Sequence, residues 1–119
     1  MPTHRPSDDP ARWIGRPFVV HVDRPLGSFH PRFPGLRYRV NYGFVPGTRA
    51  ADGHPIDAYV LGPARPLRRF RGICRAILHR ADDVEDKLVI ALPGLPLDDA
   101  AIRAATPFQE RFFQTTILR

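Results

Sequence analysis

Residues 52–62 read DGHPIDAYVLG, which combines a sharp turn with the start of a strand. An Asp-Gly pair followed closely by proline favours a tight turn, and the strand after it is expected over Ile56–Leu61. Side chains alternate along a strand, so Asp57 shares a face with Tyr59 and Leu61. A buried carboxylate without a partner costs on the order of several kcal/mol. Asp57 therefore needs a partner, and a divalent metal ion is the natural one.

Four further strands and one or two helices are expected on either side of this stretch. Short β-branched or alternating runs predict the strands, which cover Phe18–Val22, Leu36–Tyr42, Ile73–His79 and Lys87–Leu92. Five strands joined by turns favour a small antiparallel barrel or a sandwich. Near the C-terminus, Asp98–Ala105 is predicted to form a helix with acidic residues in its first turn. A second helix is predicted with Thr106 as its N-cap and Pro107 as its first residue. Gln109 is the capping-box partner of Thr106.

The 119 residues have the composition of one small globular domain, with 43% hydrophobic and 25% charged residues. We expect a flexible N-terminal leader over residues 1–15 and a single domain over residues 16–119. The sequence has no apolar run of about 18 residues, which a membrane-spanning helix would need, and no apolar secretory signal. Cys74 is the only cysteine, which excludes a disulfide framework. We therefore expect a cytoplasmic protein.

The charge balance is positive, and lysine is almost absent from it. The 18 Lys and Arg residues exceed the 12 Asp and Glu residues, the formal net charge is +6, and Lys87 is the only lysine. Such a chain attracts anions, including phosphates and nucleic acid. Half of the acidic residues nevertheless lie in two short stretches, as Asp52, Asp57, Asp82, Asp83, Glu85 and Asp86. This grouping suits divalent metal ions with a polyanion over them, although each acid taken singly also fits a polar turn.

The second acidic stretch, residues 79–89, reads HRADDVEDKLV and joins two expected strands. Taken alone, it fits a solvated hairpin turn. If its strand lies beside the strand that carries Asp57, three or four carboxylates converge, which is enough for a two-metal site. Lys87 then starts the following strand and presents a compact positive charge to a phosphate.

A third stretch, residues 37–48, reads RYRVNYGFVPGT. It places Tyr38 and Tyr42 on one face of the expected strand. Tyrosine hydroxyls bind phosphate or position a water molecule, and both rings also fit a hydrophobic core. The sequence leaves these two interpretations open.

In this order, the three stretches resemble the soluble inorganic pyrophosphatases of the barrel type, family I. The motifs RVNYGFVPGT, DGHPID and DDVEDK match the family's pattern within about residues 36–92, and VDRPLGSFHP resembles a divergent branch of short pyrophosphatase-like proteins. The resemblance implies a β-rich α+β fold, a small five-stranded OB-like closed barrel with one or two C-terminal helices. It also implies two or more Mg²⁺ ions, with Mn²⁺ as an alternative, and hydrolysis of phosphoanhydride bonds, with inorganic pyrophosphate as the default substrate.

The resemblance also assigns roles to residues at matching positions. The implied metal ligands are Asp52, Asp57 as the bridging ligand, Asp82, and either Glu85 or Asp86. Lys87 and Tyr38 would contact phosphate, and Tyr42 would lie near the nucleophilic water. The family's early lysine and arginine, which clamp phosphate, have no clean counterpart, and Arg24 or Arg37 would substitute for them.

Two further departures from the family pattern concern the chemistry. The middle aspartate of the family's metal motif is His54 here. In the family this position helps to deprotonate the attacking water, which a histidine can do at neutral pH, although His54 also fits a polar turn. The tyrosine–lysine pair of the family's C-terminal helix is replaced by Phe112 and Phe113. The metal half of the site is thus better kept than the phosphate clamp.

These departures leave two other functions open. A pyrophosphatase-fold enzyme can act on another phosphorylated or diphosphate-bearing small molecule. A non-catalytic basic barrel can instead bind nucleic acid or protein through residues 65–75, RPLRRFRGICR, which supply five arginines and Phe70. Among partners, we expect a small phosphorylated substrate rather than nucleic acid or a membrane. We also expect a homo-oligomer, with Phe112–Leu118 as the contact between copies.

Overall fold

Strands dominate the structure, a computed structural model that describes residues 10–50, 53–80, 86–106 and 114–119. The strands in these ranges are β1 (Pro17–Arg24), β2 (Asn41–Val45), β3 (Ile56–Val60), β4 (Arg69–Arg80), β5 (Asp86–Ala91) and β6 (Thr115–Leu118). The helix α1 covers Asp99–Ala105, and a short 3-10 helix covers Pro10–Trp13. The β-rich α+β class expected from the sequence is confirmed.

Five of the strands close into a barrel in the order β1-β2-β3-β5-β4, because β4 pairs with β1 as well as with β5. The 12 residues of β4 make this closure possible. Residues 69–73 of β4 pair with β1, and residues 73–79 pair with β5. The closed five-stranded barrel is therefore confirmed, and the alternative of a sandwich is wrong.

One strand pair differs from the expected all-antiparallel arrangement. The strands β3 and β5 run parallel, whereas the pairs β1–β2, β2–β3, β4–β5 and β1–β4 are antiparallel. The reason is that β5 is inserted between β3 and β4, and a strand antiparallel to β4 at that place runs in the direction of β3. The parallel pairing sets the starts of β3 and β5 side by side.

Alternating side chains of all five barrel strands fill the barrel interior. This inner cluster consists of Val20, Val45, Ile56, Ala58, Val60, Cys74, Ile77, Leu88 and Ile90. The opposite faces of β2 to β5 form an outer cluster together with the segment 36–40 and with α1. Its buried members are Leu36, Tyr38, Val40, Tyr42, Tyr59, Leu61, Ala76, Leu78, Val89 and Ile102. Polar residues on this outer face are thus enclosed between the barrel and its cover.

The strand predicted over Leu36–Tyr42 is wrong over most of its length, because regular pairing begins only at Asn41. The alternation of buried and exposed side chains through residues 36–40 is present. The backbone bonds of this segment, however, go to the preceding loop: the Tyr38 N–H donates to the Ser28 carbonyl at 2.8 Å and its own carbonyl accepts from the Gly27 N–H at 2.7 Å. The loop's prolines and glycines favour such local turns over a barrel strand.

Helix α1 confirms the first helix predicted near the C-terminus. Asp98 is its N-cap, and the carboxylate accepts a hydrogen bond from the Ala101 N–H at 2.8 Å. The second predicted helix falls on residues 107–113, which lie outside the described residues. Thr106, its expected N-cap, is the C-cap of α1, and its hydroxyl donates to the Ile102 carbonyl at 2.9 Å; its role as an N-cap stays a prediction. Within the described ranges, no helix is long and apolar enough to cross a bilayer.

Part of the segment that the sequence offered as an oligomer contact is used within the chain. Thr115–Leu118 form β6, which pairs antiparallel with residues 77–80 of β4. This pairing covers one flank of β4 and adds Ile117 to the outer cluster. Thr115–Leu118 are thus paired within the chain while remaining partly exposed, with Thr116 exposed, and the homo-oligomer contact stays a prediction.

The end of the expected N-terminal leader is docked on the barrel. Trp13 and Ile14 pack against the inner cluster, and the Gly15 N–H donates to the Cys74 carbonyl at 2.7 Å. The Trp13 ring also meets the edge of the Phe18 ring at 5.7 Å between centroids. The division of the chain at residue 15 stays a prediction.

Gly43 lies in β2 where the backbones of β1 and β2 approach most closely. A Cβ atom at this position would overlap the backbone of His21 and Val22, which cannot move without breaking the pairing of the two strands. We expect Gly43→Ala to lower the free energy of unfolding by at least about 2 kcal/mol, or to prevent folding. Urea denaturation measures the effect. Gly94→Ala is the control, because a Cβ there meets nothing within 4 Å; equal stability of the two variants would contradict the close approach.

Cys74 provides a test of the dry barrel interior. Burial raises the pKa of its thiol to about 11. The folded chain holds this proton more tightly than the unfolded chain, so the stabilisation is complete below the ordinary thiol pKa and is lost as the pH rises toward about 11. We expect the free energy of unfolding, followed by urea denaturation, to fall more steeply between about pH 8 and pH 11 in the wild type than in Cys74→Ala. Identical pH profiles would argue against the burial.

Candidate functional site

The strand register gathers polar side chains of the outer face into two adjacent rows. In one row, Arg24 pairs with Tyr42, and Tyr42 pairs with Tyr59. In the next row, Asp57 lies two residues before Tyr59 on β3, and the parallel pairing sets Lys87 of β5 at the same level. Because side chains alternate along each strand, all of these residues point to the outer face.

The centre of this outer-face site is an ion pair between Asp57 and Lys87. The Lys87 Nζ atom lies 2.5 Å from Asp57 Oδ2, and it also lies 5.8 Å from the centroid of the Tyr42 ring. The Lys87 side chain is only 5% exposed, whereas that of Asp57 is 36% exposed. A buried ammonium group needs such a carboxylate, because removing one partner of a buried pair costs about 3–5 kcal/mol. The partner that Asp57 requires is thus Lys87, the residue that the sequence assigned to a phosphate.

Tyr38 and Tyr42 are core aromatics whose hydroxyls face the charged residues of the site. Both are buried, and their rings stack at 5.4 Å between centroids. The Tyr38 hydroxyl is hydrogen-bonded to Arg24. Burial raises the pKa of both hydroxyls, for Tyr42 well above the ordinary value, and the negative charge of Asp57 adds to the effect. Both groups therefore remain protonated at neutral pH and can donate a hydrogen bond.

Arg24 is the arginine that the structure brings to this group. It lies at the end of β1, where a bulge between Val22 and Arg24 shifts the register against β2. Its guanidinium reaches the Tyr38 hydroxyl, but its Nε atom is buried and has no hydrogen-bond partner among the described residues. A buried donor left unsatisfied costs roughly 1–3 kcal/mol, and an oxygen of a bound anion would satisfy it.

Asp23 is a site residue that sequence reasoning missed. It occupies the bulge next to Arg24, and partial burial of its carboxylate raises its pKa, an effect that Arg24 opposes and the charge of Asp57 strengthens. The carboxylates of Asp23 and Asp57 are therefore near enough to repel each other. The available signal was the alternation of the first expected strand, because Asp23 follows His21 by two residues.

Arg37 and His54 lie on exposed segments outside the two rows. The Arg37 Nε atom donates to the Gly27 carbonyl at 3.1 Å, and the guanidinium lies 5.8 Å from the Phe29 ring centroid, so Arg37 braces the loop. His54 follows Gly53 in the bend before β3, where its carbonyl accepts from the Ala50 N–H at 2.7 Å. The proposed base role of His54 stays a prediction.

The acidic residues predicted as ligands do not all meet on the described part of the outer face. The Asp86 carboxylate lies 2.6 Å from the His79 Nδ1 atom. Asp86 directly precedes Lys87 in β5, so its side chain leaves the opposite face of the strand from Lys87 and is not gathered with Asp57. Asp52, Asp82 and Glu85 lie outside the described residues, and their ligand roles stay predictions.

The donor chemistry of the site suits a hard divalent cation. No three His, Cys, Asp or Glu side chains of the described ranges lie close enough to hold one ion. The charges of Asp57 and Asp23 nevertheless influence each other, and carboxylate oxygens are the protein ligands that Mg²⁺ prefers. The stretches that carry the other predicted ligands lead directly into β3 and β5, which start side by side. The adjacency that the sequence made a condition for a metal site is therefore met.

A double-mutant cycle tests the Asp57–Lys87 pair. The changes Asp57→Asn and Lys87→Met each remove one charge, and together they remove both. We expect a coupling of about 1–3 kcal/mol in the free energy of unfolding, measured by urea denaturation, because Lys87 is buried. The matched control is the exposed pair Arg119–Asp99, at 3.1 Å with side chains 41% and 58% exposed. Its coupling should stay below about 1 kcal/mol; equal couplings for both pairs would contradict the buried pair.

Known proteins share this architecture and these motifs. Residues 19–100 match the family model described as inorganic pyrophosphatase. The chain is 36% identical over 85 residues to the inorganic pyrophosphatase of Ralstonia nicotianae, covering 69% of this chain and 45% of the relative. It is 59% identical over 64 residues to that of Gluconobacter oxydans, covering 51% and 37%. The chain thus spans less than half the length of these relatives.

Solved structures agree on the fold. The inorganic pyrophosphatase of Ehrlichia chaffeensis superposes with a TM-score of 0.65 at 16% identity, covering 86% of this chain and 84% of the other. That of Coxiella burnetii superposes with a TM-score of 0.62 at 20% identity, covering 87% and 84%. Since the motifs, the family match and the closed barrel all agree, the chain belongs to the inorganic pyrophosphatase family.

Proposed function

We propose that this chain is a Mg²⁺-dependent hydrolase of phosphoanhydride bonds that cleaves inorganic pyrophosphate into two phosphates. The observation that carries the proposal is the parallel pairing of β3 with β5, which gathers Asp57 and Lys87 on one face and sets side by side the two strands that follow the acidic stretches in the sequence. The family membership supports it, since the matched relatives are named inorganic pyrophosphatases.

The carboxylates are the proposed ligands of the metal. Asp57, with Asp52, Asp82 and Glu85, would hold the divalent ions, and Asp23 adds a carboxylate from β1. When bound, such ions lower the pKa of a water molecule and neutralise charge on the leaving phosphate. Lys87 holds the Asp57 carboxylate in a fixed orientation through its contact with Oδ2. This chain's own contribution is thus a fixed set of oxygen ligands on a rigid barrel face.

The cationic and hydroxyl groups would bind the substrate. Arg24 has a buried Nε–H without a partner among the described residues, and it hydrogen-bonds the Tyr38 hydroxyl, so it can donate to a phosphoryl oxygen from a fixed position. The Tyr42 hydroxyl, held neutral by its burial and by the charge of Asp57, can donate to a phosphate oxygen or to a water molecule. Arg24 would thus take the phosphate-clamping role of the family's early lysine and arginine, which have no clean counterpart in this sequence.

His54 is the proposed general base, because it replaces an aspartate in the turn that leads to Asp57. It is exposed in the bend before β3, and histidine is the side chain type that exchanges protons near neutral pH. We expect His54→Ala to lower the rate of pyrophosphate hydrolysis by at least about 10-fold near neutral pH. An unchanged rate would show that His54 is only a turn residue. A higher rate for His54→Asp would show that the histidine has moved the chain away from inorganic pyrophosphate as a substrate.

The alternative of a non-catalytic nucleic-acid barrel has less support from the structure. The Phe70 side chain, offered as a stacking residue, packs against the inner cluster of the barrel. Arg75, in the same stretch, donates to the carbonyls of Leu92 and Leu95 at 2.6 and 2.8 Å. Both residues serve the fold. The cytoplasmic location stays a prediction.

Phosphate release from inorganic pyrophosphate tests the proposed function. We expect release with Mg²⁺, no release with excess EDTA, and a loss of about 100-fold or more in Asp57→Asn, because the loss of this carboxylate weakens metal binding. Cooperative urea unfolding of the variant shows whether it is folded. Asp99→Asn is the control, since it removes an exposed carboxylate of α1 that pairs with Arg119. Undiminished release in the presence of EDTA would overturn the metal dependence.

A further inference from the structure

An exposed aromatic surface stands beside the proposed phosphate site. Phe33 is 59% exposed, and its ring lies 4.8 Å from the His30 ring between centroids, at an angle of 43°. The His30 ring in turn lies nearly parallel to the Tyr38 ring, 6.3 Å away. Tyr38 is the residue whose hydroxyl bonds Arg24. The rings of Phe33 and His30, here called the aromatic platform, therefore lead from solvent to the phosphate-binding arginine.

The aromatic platform is held in place by a dense set of hydrogen bonds. The Leu36 N–H donates to the Phe33 carbonyl at 2.8 Å and closes a tight turn, and the His30 N–H donates to the Leu36 carbonyl at 2.8 Å. The His30 Nδ1 atom accepts from the Arg32 N–H at 3.0 Å. Fully buried Asn41 ties the base of the loop, because its Oδ1 atom accepts from the Leu26 N–H at 3.0 Å. A ligand that stacks here does not need to order the loop first.

The charges around the aromatic platform favour a ligand in which an aromatic group is attached to an anion. Burial lowers the pKa of His30, and the positive charges of Arg24 and Arg32 lower it further. His30 therefore stays neutral at physiological pH and offers a flat, uncharged ring. The arginine charge remains available to an anion at the other end of the ligand. A nucleotide combines these two features, a base with an extended π face and a charged phosphate chain.

We propose that the site takes nucleoside diphosphates, with the base stacked on Phe33 and His30 and the diphosphate reaching Arg24 and Asp57–Lys87. This rests on the proposed function, since the same bond type is cleaved. Water adds to the terminal phosphorus, the bond from that phosphorus to the bridging oxygen breaks, and nucleoside monophosphate and phosphate are released. The proton of the attacking water passes to a base. Inorganic pyrophosphate uses only the diphosphate part of this site.

Phe29 provides a matched control within the same loop. It is also 59% exposed, but its ring lies beside the Arg37 guanidinium, and Phe29 is bridged to Arg37 rather than stacked on His30. Removing either ring takes a similar exposed surface from the same loop. A general effect of the loop would therefore appear in both variants, and a stacking effect only in Phe33→Ala.

Equilibrium binding of ADP, methyl diphosphate and inorganic pyrophosphate tests the proposal with the whole chain. Methyl diphosphate has the same diphosphate monoester as ADP but lacks both the ribose and the base, and the Phe33→Ala variant isolates the contribution of stacking. We expect the wild type to bind ADP about 10-fold more tightly than methyl diphosphate, because one base stacked on an aromatic ring strengthens binding by about this factor. We expect Phe33→Ala to lose this preference. Phe29→Ala should keep it, Phe33→Trp should restore it, and both alanine variants should bind inorganic pyrophosphate like the wild type.

Three results of these measurements with the variants and the diphosphates would overturn the proposal. These are equal affinity of the wild type for ADP and methyl diphosphate, equal losses in Phe33→Ala and Phe29→Ala, and a loss of pyrophosphate affinity in Phe33→Ala as large as the loss for ADP. An RNA oligonucleotide without a terminal diphosphate that competes as well as ADP would also overturn it. Failure of the proposed function is a separate result: the wild type with Mg²⁺ would release no phosphate from pyrophosphate. The binding preference for ADP over methyl diphosphate, and its dependence on Phe33, would still be measured with the same variants.

Discussion

The almost fully buried ammonium group of Lys87 requires a carboxylate within reach, and the parallel pairing of β3 with β5 supplies it as Asp57. This contact determines where charge accumulates on the molecule. The Tyr42 ring lies beside the pair, and Asp23 and Arg24 approach it from the end of β1. A site for anions and cations thus forms around one ion pair, because each added charge is stabilised by an opposite charge already in place.

The position of the site follows from how the barrel is filled. Among the described residues, the inner cluster consists of aliphatic side chains and one thiol, a setting in which a charged group would be costly. The opposite faces of the same strands carry the charged and hydroxyl groups, and the segment 25–40 and α1 cover them. A covered face keeps the electrostatic interactions strong, since the local dielectric is low, while Asp57 remains partly exposed for a ligand.

The segment 25–40 has two functions in this arrangement. It buries Tyr38 against the barrel, which makes the Tyr38 hydroxyl a fixed neighbour of Arg24. It also carries exposed rings on a backbone that its own hydrogen bonds hold still. The same turns that close the outer cluster therefore also set the position of Phe33.

The sequence by itself determined the features that depend on neighbours along the chain. Alternation predicted most strands and the shared face of Asp57 and Tyr59, and the acidic first turn of Asp98–Ala105 predicted α1. The motifs predicted the family. The tertiary structure alone decided the rest. Alternation over residues 36–40 is the same in a loop as in a strand, so only the backbone bonds to Gly27 and Ser28 distinguish them.

The ion pairs likewise depended on the fold. The register of β5 against β3 and β4 sets Lys87, and not its neighbour Asp86, beside Asp57. The approach of Asp23 depends on a bulge in β1. These are contacts between residues far apart in sequence. Their side chains meet only after the barrel has closed, because local propensity carries no information about which strand lies beside which.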